Sequence, residues 1–235
     1  MTDRVATLLA YSLGTVMLVG TSIGAWWFLL KGVGSQRHVK ERYSQIVARE
    51  AAALRLFAAR VGAPHEPASA RDAWGNPAPA PGSVVHTCHN LVARVGYAQS
   101  DTSPANVRDE PKYLPQVLIE VPPGMKWGVT LDAIDGSRVR KSIAAGKTVG
   151  DAFRVRRGDV PPSAHAPLRY VGAHVFSLEL SPSQMDARMW PDDMTKYPVP
   201  LSAMWDGGYD IEALVEFVEQ TCSVASALLV PDTAL

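Results

Sequence analysis

Val5 to Leu30 is a run of 26 residues without a charge, bounded by Arg4 and Lys31. A helix of about 20 apolar residues crosses a hydrocarbon core about 30 Å thick, so this run is long enough to span with some tilt. The apolar part of a cleaved leader is shorter, about 7 to 15 residues, and ends in small residues. Here the bulky Trp26-Trp27-Phe28 follow instead. The expectation is therefore a retained single-pass anchor, with Trp26, Trp27 and Lys31 at headgroup level. Gly20 and Gly24 have the small-xxx-small spacing that lets a second helix approach closely. The expected partners are the lipid bilayer and either other membrane proteins or copies of this chain.

Charge gives two opposed signals about orientation. Lys31, Arg37, Lys40 and Arg42 follow the run, whereas only Arg4 and the terminal amine precede it. That bias places the remainder in the cytoplasm, yet a long domain translocates largely regardless of it. Residues 31–60 carry a net charge of +5 and residues 61–235 a net charge of −5. Over the whole chain 23 basic residues balance 23 acidic ones, so no nucleic-acid partner is expected. Two cysteines exclude a disulfide-dense scaffold and a four-cysteine zinc site within one chain.

After the anchor, Tyr43 to Val61 reads as an amphipathic helix. Ile46, Val47, Ala51, Leu54, Phe57, Ala58 and Val61 recur at three- and four-residue spacing, with Arg49, Glu50, Arg55 and Arg60 mostly elsewhere. Gly62, Pro64 and Pro67 end it. Gly75 to Gly82, with Pro77, Pro79 and Pro81, reads as a rigid extended connector. Strands are expected at Gln116–Val121 and Trp127–Ile134, separated by the turn Pro122-Pro123-Gly124. Asp135-Gly136 reads as a hairpin turn into a strand at Arg138–Ile143, and Phe153–Val155 and Leu168–Leu180 read as β. Pro182–Pro200 reads as irregular. Asp210 is a candidate N-cap for a helix over Ile211–Leu229, with Ile211, Leu214, Val215, Val218 and Cys222 on one face. The expected class is α+β: anchor 1–30, basic amphipathic helix 31–63, Pro-rich turn 64–82, and a head over 83–235 with an antiparallel sheet and a C-terminal helix.

Chemistry-bearing strings are few. Cys88 and Cys222 are candidate partners for one disulfide if the head lies outside the cytoplasm; two separate buried thiols are the alternative. His86-Thr87-Cys88-His89 offers imidazole and thiolate, but no second ligand cluster follows at finger-like spacing. Ala145-Gly146-Lys147-Thr148 lacks the earlier glycine of a phosphate loop, since Lys141 stands there, and reads as a surface turn. Asp192-Asp193 and Asp206 to Asp210 lack EF-hand spacing. There is no Gly-x-Ser-x-Gly elbow and no His-Glu-x-x-His helix. No catalytic residue, metal ligand or cofactor is assigned.

Asp72-Ala73-Trp74-Gly75-Asn76-Pro77 breaks regular structure and sets a Trp beside the end of the preceding helix. The string resembles the Asp-x-Trp-Gly-Asn-Pro segment of type II secretion pseudopilins and some type IV pilin-like proteins. The order of elements over the first 80 or so residues is also similar to theirs. Arg4 stands where that family has the Gly before its mature sequence, and Leu9 where it has Glu. The resemblance implies a structural subunit of a cell-envelope filament or secretion complex, with a periplasmic or extracellular head and no catalytic residues. Two other classes share the layout: a membrane-tethered extracytoplasmic enzyme or ligand-binding protein, and a membrane-anchored phage or mobile-element structural protein.

Overall fold

The computed structural model describes residues 44–45, 47–71, 77–99, 113–190 and 210–232. All but the first two belong to one unit, Ile46–Leu235. The uncharged run Val5–Leu30, with Gly20, Gly24, Trp26, Trp27 and Lys31, lies outside the described residues, as do 72–76 and 191–209. Among the described residues no helix is long and apolar enough to cross a membrane.

The unit is α+β, and every strand pair in it is antiparallel. Helix α1 (47–61) buries Val47, Ala51, Leu54, Phe57 and Ala58, the face that the apolar spacing marks out. Glu50 is buried as well, against the expectation that the charges stay off that face. Its Oε1 accepts from Arg49 Nε at 3.1 Å. Strands β1 (His65–Arg71), β2 (Pro77–Cys88), β3 (Leu91–Gln99) and β4 (Tyr113–Glu120) then run as a meander.

The stretch read as a connector is thus the start of a sheet. Pro77, Pro79 and Pro81 fall at alternate positions, so they remove donors from one edge of β2 only. Ala78 and Ala80 keep theirs on the other, and the whole stretch Pro77–Ala80 is in register with β1.

The chain then leaves the sheet. The turn at Pro122-Pro123-Gly124 is closed by Met125 N–H donating to the Pro122 carbonyl at 3.1 Å, with Gly124 at φ +77°. The single strand expected over Trp127–Ile134 is three short ones: β5 (Met125–Trp127), β6 (Thr130–Leu131) and β7 (Ile134–Asp135). Each pairs in a different sheet.

Arg138–Ile143 is not a strand but lies within α2 (Gly136–Ala144), N-capped by Asp135, which accepts from Ser137 N–H at 3.0 Å. After α3 (Val149–Ala152) and β8 (Val155–Arg157), α4 (Pro162–His174) takes up half of the segment expected to be β. Pro162 stands in its first turn, and Ala164, Leu168, Val171 and Gly172 form a buried helical stripe. Only β9 (Val175–Leu180) is extended there. Gln184–Met189, expected to be irregular, is strand β10, with Met185, Ala187 and Met189 inward. Helix α5 (Ile211–Leu228) starts where expected, with Asp210 Oδ1 accepting from Ala213 N–H at 3.2 Å. Strand β11 (Leu229–Pro231) follows and pairs with β5.

The main sheet has the order β1-β2-β3-β4-β10-β9-β7. One row of buried residues crosses six of its strands: Val84, Val95, Val117, Ala187, Leu178 and Ile134. Leu54 and Phe57 of α1, Leu168 and Val171 of α4, and Leu214, Phe217 and Val218 of α5 join the same cluster. The alternate residues form a second face that mixes polar side chains with Val85, Val92 and Leu118. There Gln116 donates to Asp186 at 3.0 Å, Arg188 bridges to the same carboxylate at 3.0 Å, and Arg94 reaches Glu66 at 3.2 Å. Period-two alternation of this kind is what a sheet with one covered face requires.

Candidate functional site

The described side chains with the richest chemistry meet where the β2–β3 turn lies against α5. His89 and Asn90 connect the two strands with φ of +52° and +62°, as a two-residue type I′ hairpin turn requires. Neither residue is glycine, so the left-handed backbone there is a local cost that the surroundings must offset. Part of the offset is visible: Ser223 Oγ and His89 Nε2 are 2.9 Å apart.

One residue earlier on both elements, the Cys88 and Cys222 thiols lie close enough for each to act on the other's ionisation. Two contacts between positions 134 residues apart thus bolt the turn to the helix. The candidate disulfide pair is brought together, but as two free thiols rather than a bond.

The two sulfurs differ in access. Cys88 is half-buried at the end of β2, while Cys222 is wholly buried on the inner face of α5 beside Val218 and Ala225. Burial pushes the Cys88 thiol above its ordinary pKa, the nearby Cys222 thiol opposes this, and the Glu219 charge adds to it. Cys222 is pushed up much further, again mainly by burial, with contributions from Cys88 and Glu219. Glu219 lies one helical turn before Cys222, which places its negative charge near both sulfurs. Both thiols are therefore held in the neutral form.

The neighbouring histidines serve packing. His86 lies edge-on to Phe57, with centroids 6.3 Å apart and planes at 86°. His89 faces Ser223. Among the described residues no group of three or more His, Cys, Asp or Glu side chains is placed to hold a metal ion. Gly146, with φ +76°, follows the end of α2, and Lys147 N–H donates to the Ser142 carbonyl at 3.0 Å. The short Gly-Lys-Thr string is a helix-end turn in the structure. Asp210 is the α5 cap, while Asp192, Asp193 and Asp206 lie outside the described residues.

Helix α5 is also tied at its other end. Arg60 of α1 holds Glu212 through two hydrogen bonds, of 2.7 and 3.1 Å. This raises the arginine pKa and lowers that of the carboxyl. Glu212 and Cys222 are about 15 Å apart along the helix at 1.5 Å per residue.

A second surface belongs to α1. Ala48, Ala52, Leu56 and Ala59 are exposed and fall within one 80° arc at 100° per residue. Leu56 is 51% exposed, one of two large apolar side chains so placed among the described residues; Val92 on β3 is the other. Sequence reasoning picked out the buried stripe of α1 but neither this ridge nor Glu219 and Ser223. The exposed alanine spacing was legible as a signal; the glutamate's role was not, because it depends on which strand end meets α5. No protein-family model, curated protein or solved structure matches this chain.

Proposed function

We propose that this chain is a membrane-tethered assembly subunit of a cell-envelope filament or secretion complex, packing laterally through its N-terminal helices while its α+β head carries further contacts. The observation that carries this reading is the exposed ridge Ala48-Ala52-Leu56-Ala59 on α1. A ridge of small apolar side chains around one leucine lets a neighbouring helix come close and removes apolar area from water when it does. The uncharged run Val5–Leu30 and the Gly20 and Gly24 spacing support the same mode of packing in sequence. Trp26, Trp27 and Lys31 fit the membrane boundary in this reading, and the head lies outside the cytoplasm.

The test is a Leu56→Arg substitution in the full chain, followed by detergent extraction and sizing of the complex. Surface substitutions usually change stability by no more than about 0.5 kcal/mol, so the monomer should fold and stay in the membrane fraction. The higher-order complex should be lost. A variant that still assembles to wild-type size would remove α1 from the packing surface.

A further inference from the structure

We propose that Cys88 and Cys222 form a redox-closed clasp. In it, half-buried Cys88 receives an oxidant of the disulfide class, and buried Cys222 resolves it into an intramolecular bond pinning α5 to the β2–β3 turn. The inference stands on the geometry of the head and does not rest on the assembly reading.

Three observations converge on it. The thiols lie close enough to act on each other's ionisation, across two elements that are remote in sequence. The adjacent pair, His89 and Ser223, holds the same two elements in register at 2.9 Å. Their accessibilities are unequal, as sequential chemistry needs: an external reagent reaches Cys88 but not Cys222.

The step balances as a thiol–disulfide exchange. Cys88 loses its proton and its thiolate attacks one sulfur of an external disulfide R–S–S–R. A Cys88–S–S–R bond forms as the first R–S⁻ leaves and takes up a proton. Cys222 then loses its proton and attacks the Cys88 sulfur, displacing the second R–S⁻, which is protonated in turn. The two protein thiols are oxidised and one external disulfide is reduced to two thiols.

The charged group that acts on both thiols is Glu219 from α5; His86 precedes Cys88 by two residues on β2, and His89 of the turn meets Ser223 beside the pair. Burial above all, with the Glu219 charge a smaller contribution, opposes both deprotonations, so closure is slow at neutral pH and quickens as pH rises. Neutralising Glu219 gains thiolate tenfold for each unit by which the Cys88 pKa falls. About a factor of three is returned through lower nucleophilicity, leaving a net gain of roughly threefold per unit.

The experiment incubates the reduced full chain in detergent with oxidised glutathione at several pH values, blocks residual thiols with N-ethylmaleimide, and reads intact and peptide masses. The expected wild-type result is loss of both alkylatable thiols, with a Cys88–Cys222 cross-linked peptide and no lasting glutathione adduct. Cys222→Ser should trap glutathione on Cys88. Glu219→Gln, on the exposed side of α5, should close faster at neutral pH. A stable glutathione adduct in the wild type, or two thiols still open to alkylation after unfolding, would overturn the clasp without recourse to any variant. An unchanged rate in Glu219→Gln would overturn the role given to that carboxylate.

Discussion

At Gly136 the chain turns from β7 into α2 directly against the backbone of Val175, and a methyl group there would run into the Val175 carbonyl oxygen. Alanine favours a helix over glycine by about 1 kcal/mol, so propensity alone says Gly136→Ala should stabilise α2. Overpacking typically costs about 1–3 kcal/mol, and here the obstacle is backbone rather than the end of a flexible side chain. The expected outcome is a lower melting temperature for Gly136→Ala, read by thermal unfolding. Its neighbour Asp135 makes a pH prediction. The Ser137 hydroxyl and backbone N–H hold the Asp135 carboxyl below its ordinary pKa. A depressed carboxyl stabilises the fold above its unfolded-state value and loses that contribution as pH falls through the folded one. Acid unfolding of Asp135→Asn should therefore show a shallower pH dependence below about 4 than the wild type.

Helices α1 and α5 could be read from the chain because their signals agree. Each has a long apolar stripe at 3.6-residue spacing, and α5 adds a capping carboxylate at Asp210. Replacing that cap with alanine should cost about 1 kcal/mol and speed amide exchange in the first turn of α5, measured by hydrogen–deuterium exchange. Helices α2 and α4 depart from the sequence expectation for a physical reason. Val139 between Arg138 and Arg140 mimics strand alternation, and the β-branched Val171 lies close before the true strand β9. Short helices such as these draw their stability from what they pack on: α2 rests on α4 and β9. Strand β10 escaped notice because Met and Ala are not strand formers by preference, although Met185, Ala187 and Met189 do alternate. Counting residues showed that Cys88 and Cys222 could pair. Only the placement of α5 over β3, β4 and β10 showed how they meet, and that Glu219 joins them.

For the molecule as a whole, two ties hold α5: the Arg60–Glu212 pair at its start and the turn at its end. The thiols give the reduced form a distinctive alkaline behaviour. Their pKa values are raised by folding, so their contribution is fully present below the unfolded thiol value of about 8.5 and is lost as pH rises beyond it. Chemical unfolding of the reduced protein should show stability falling from pH 8 to pH 10, whereas a Cys88→Ser, Cys222→Ala chain should lose less over that interval.

The sheet order carries a further consequence, for synthesis. Strand β4 ends at Glu120, yet the neighbour that completes its far edge, β10, begins only at Gln184. At about 5–20 residues per second, a nascent chain waits several seconds between the two. Throughout that interval the meander has a bare row of amides and carbonyls along its β4 edge, the line that becomes the middle of the finished sheet and the kind of template that recruits stray strands. A ribosome stalled before Gln184 should therefore display a sticky half-sheet, and chaperones that shield such edges would be needed most in that window.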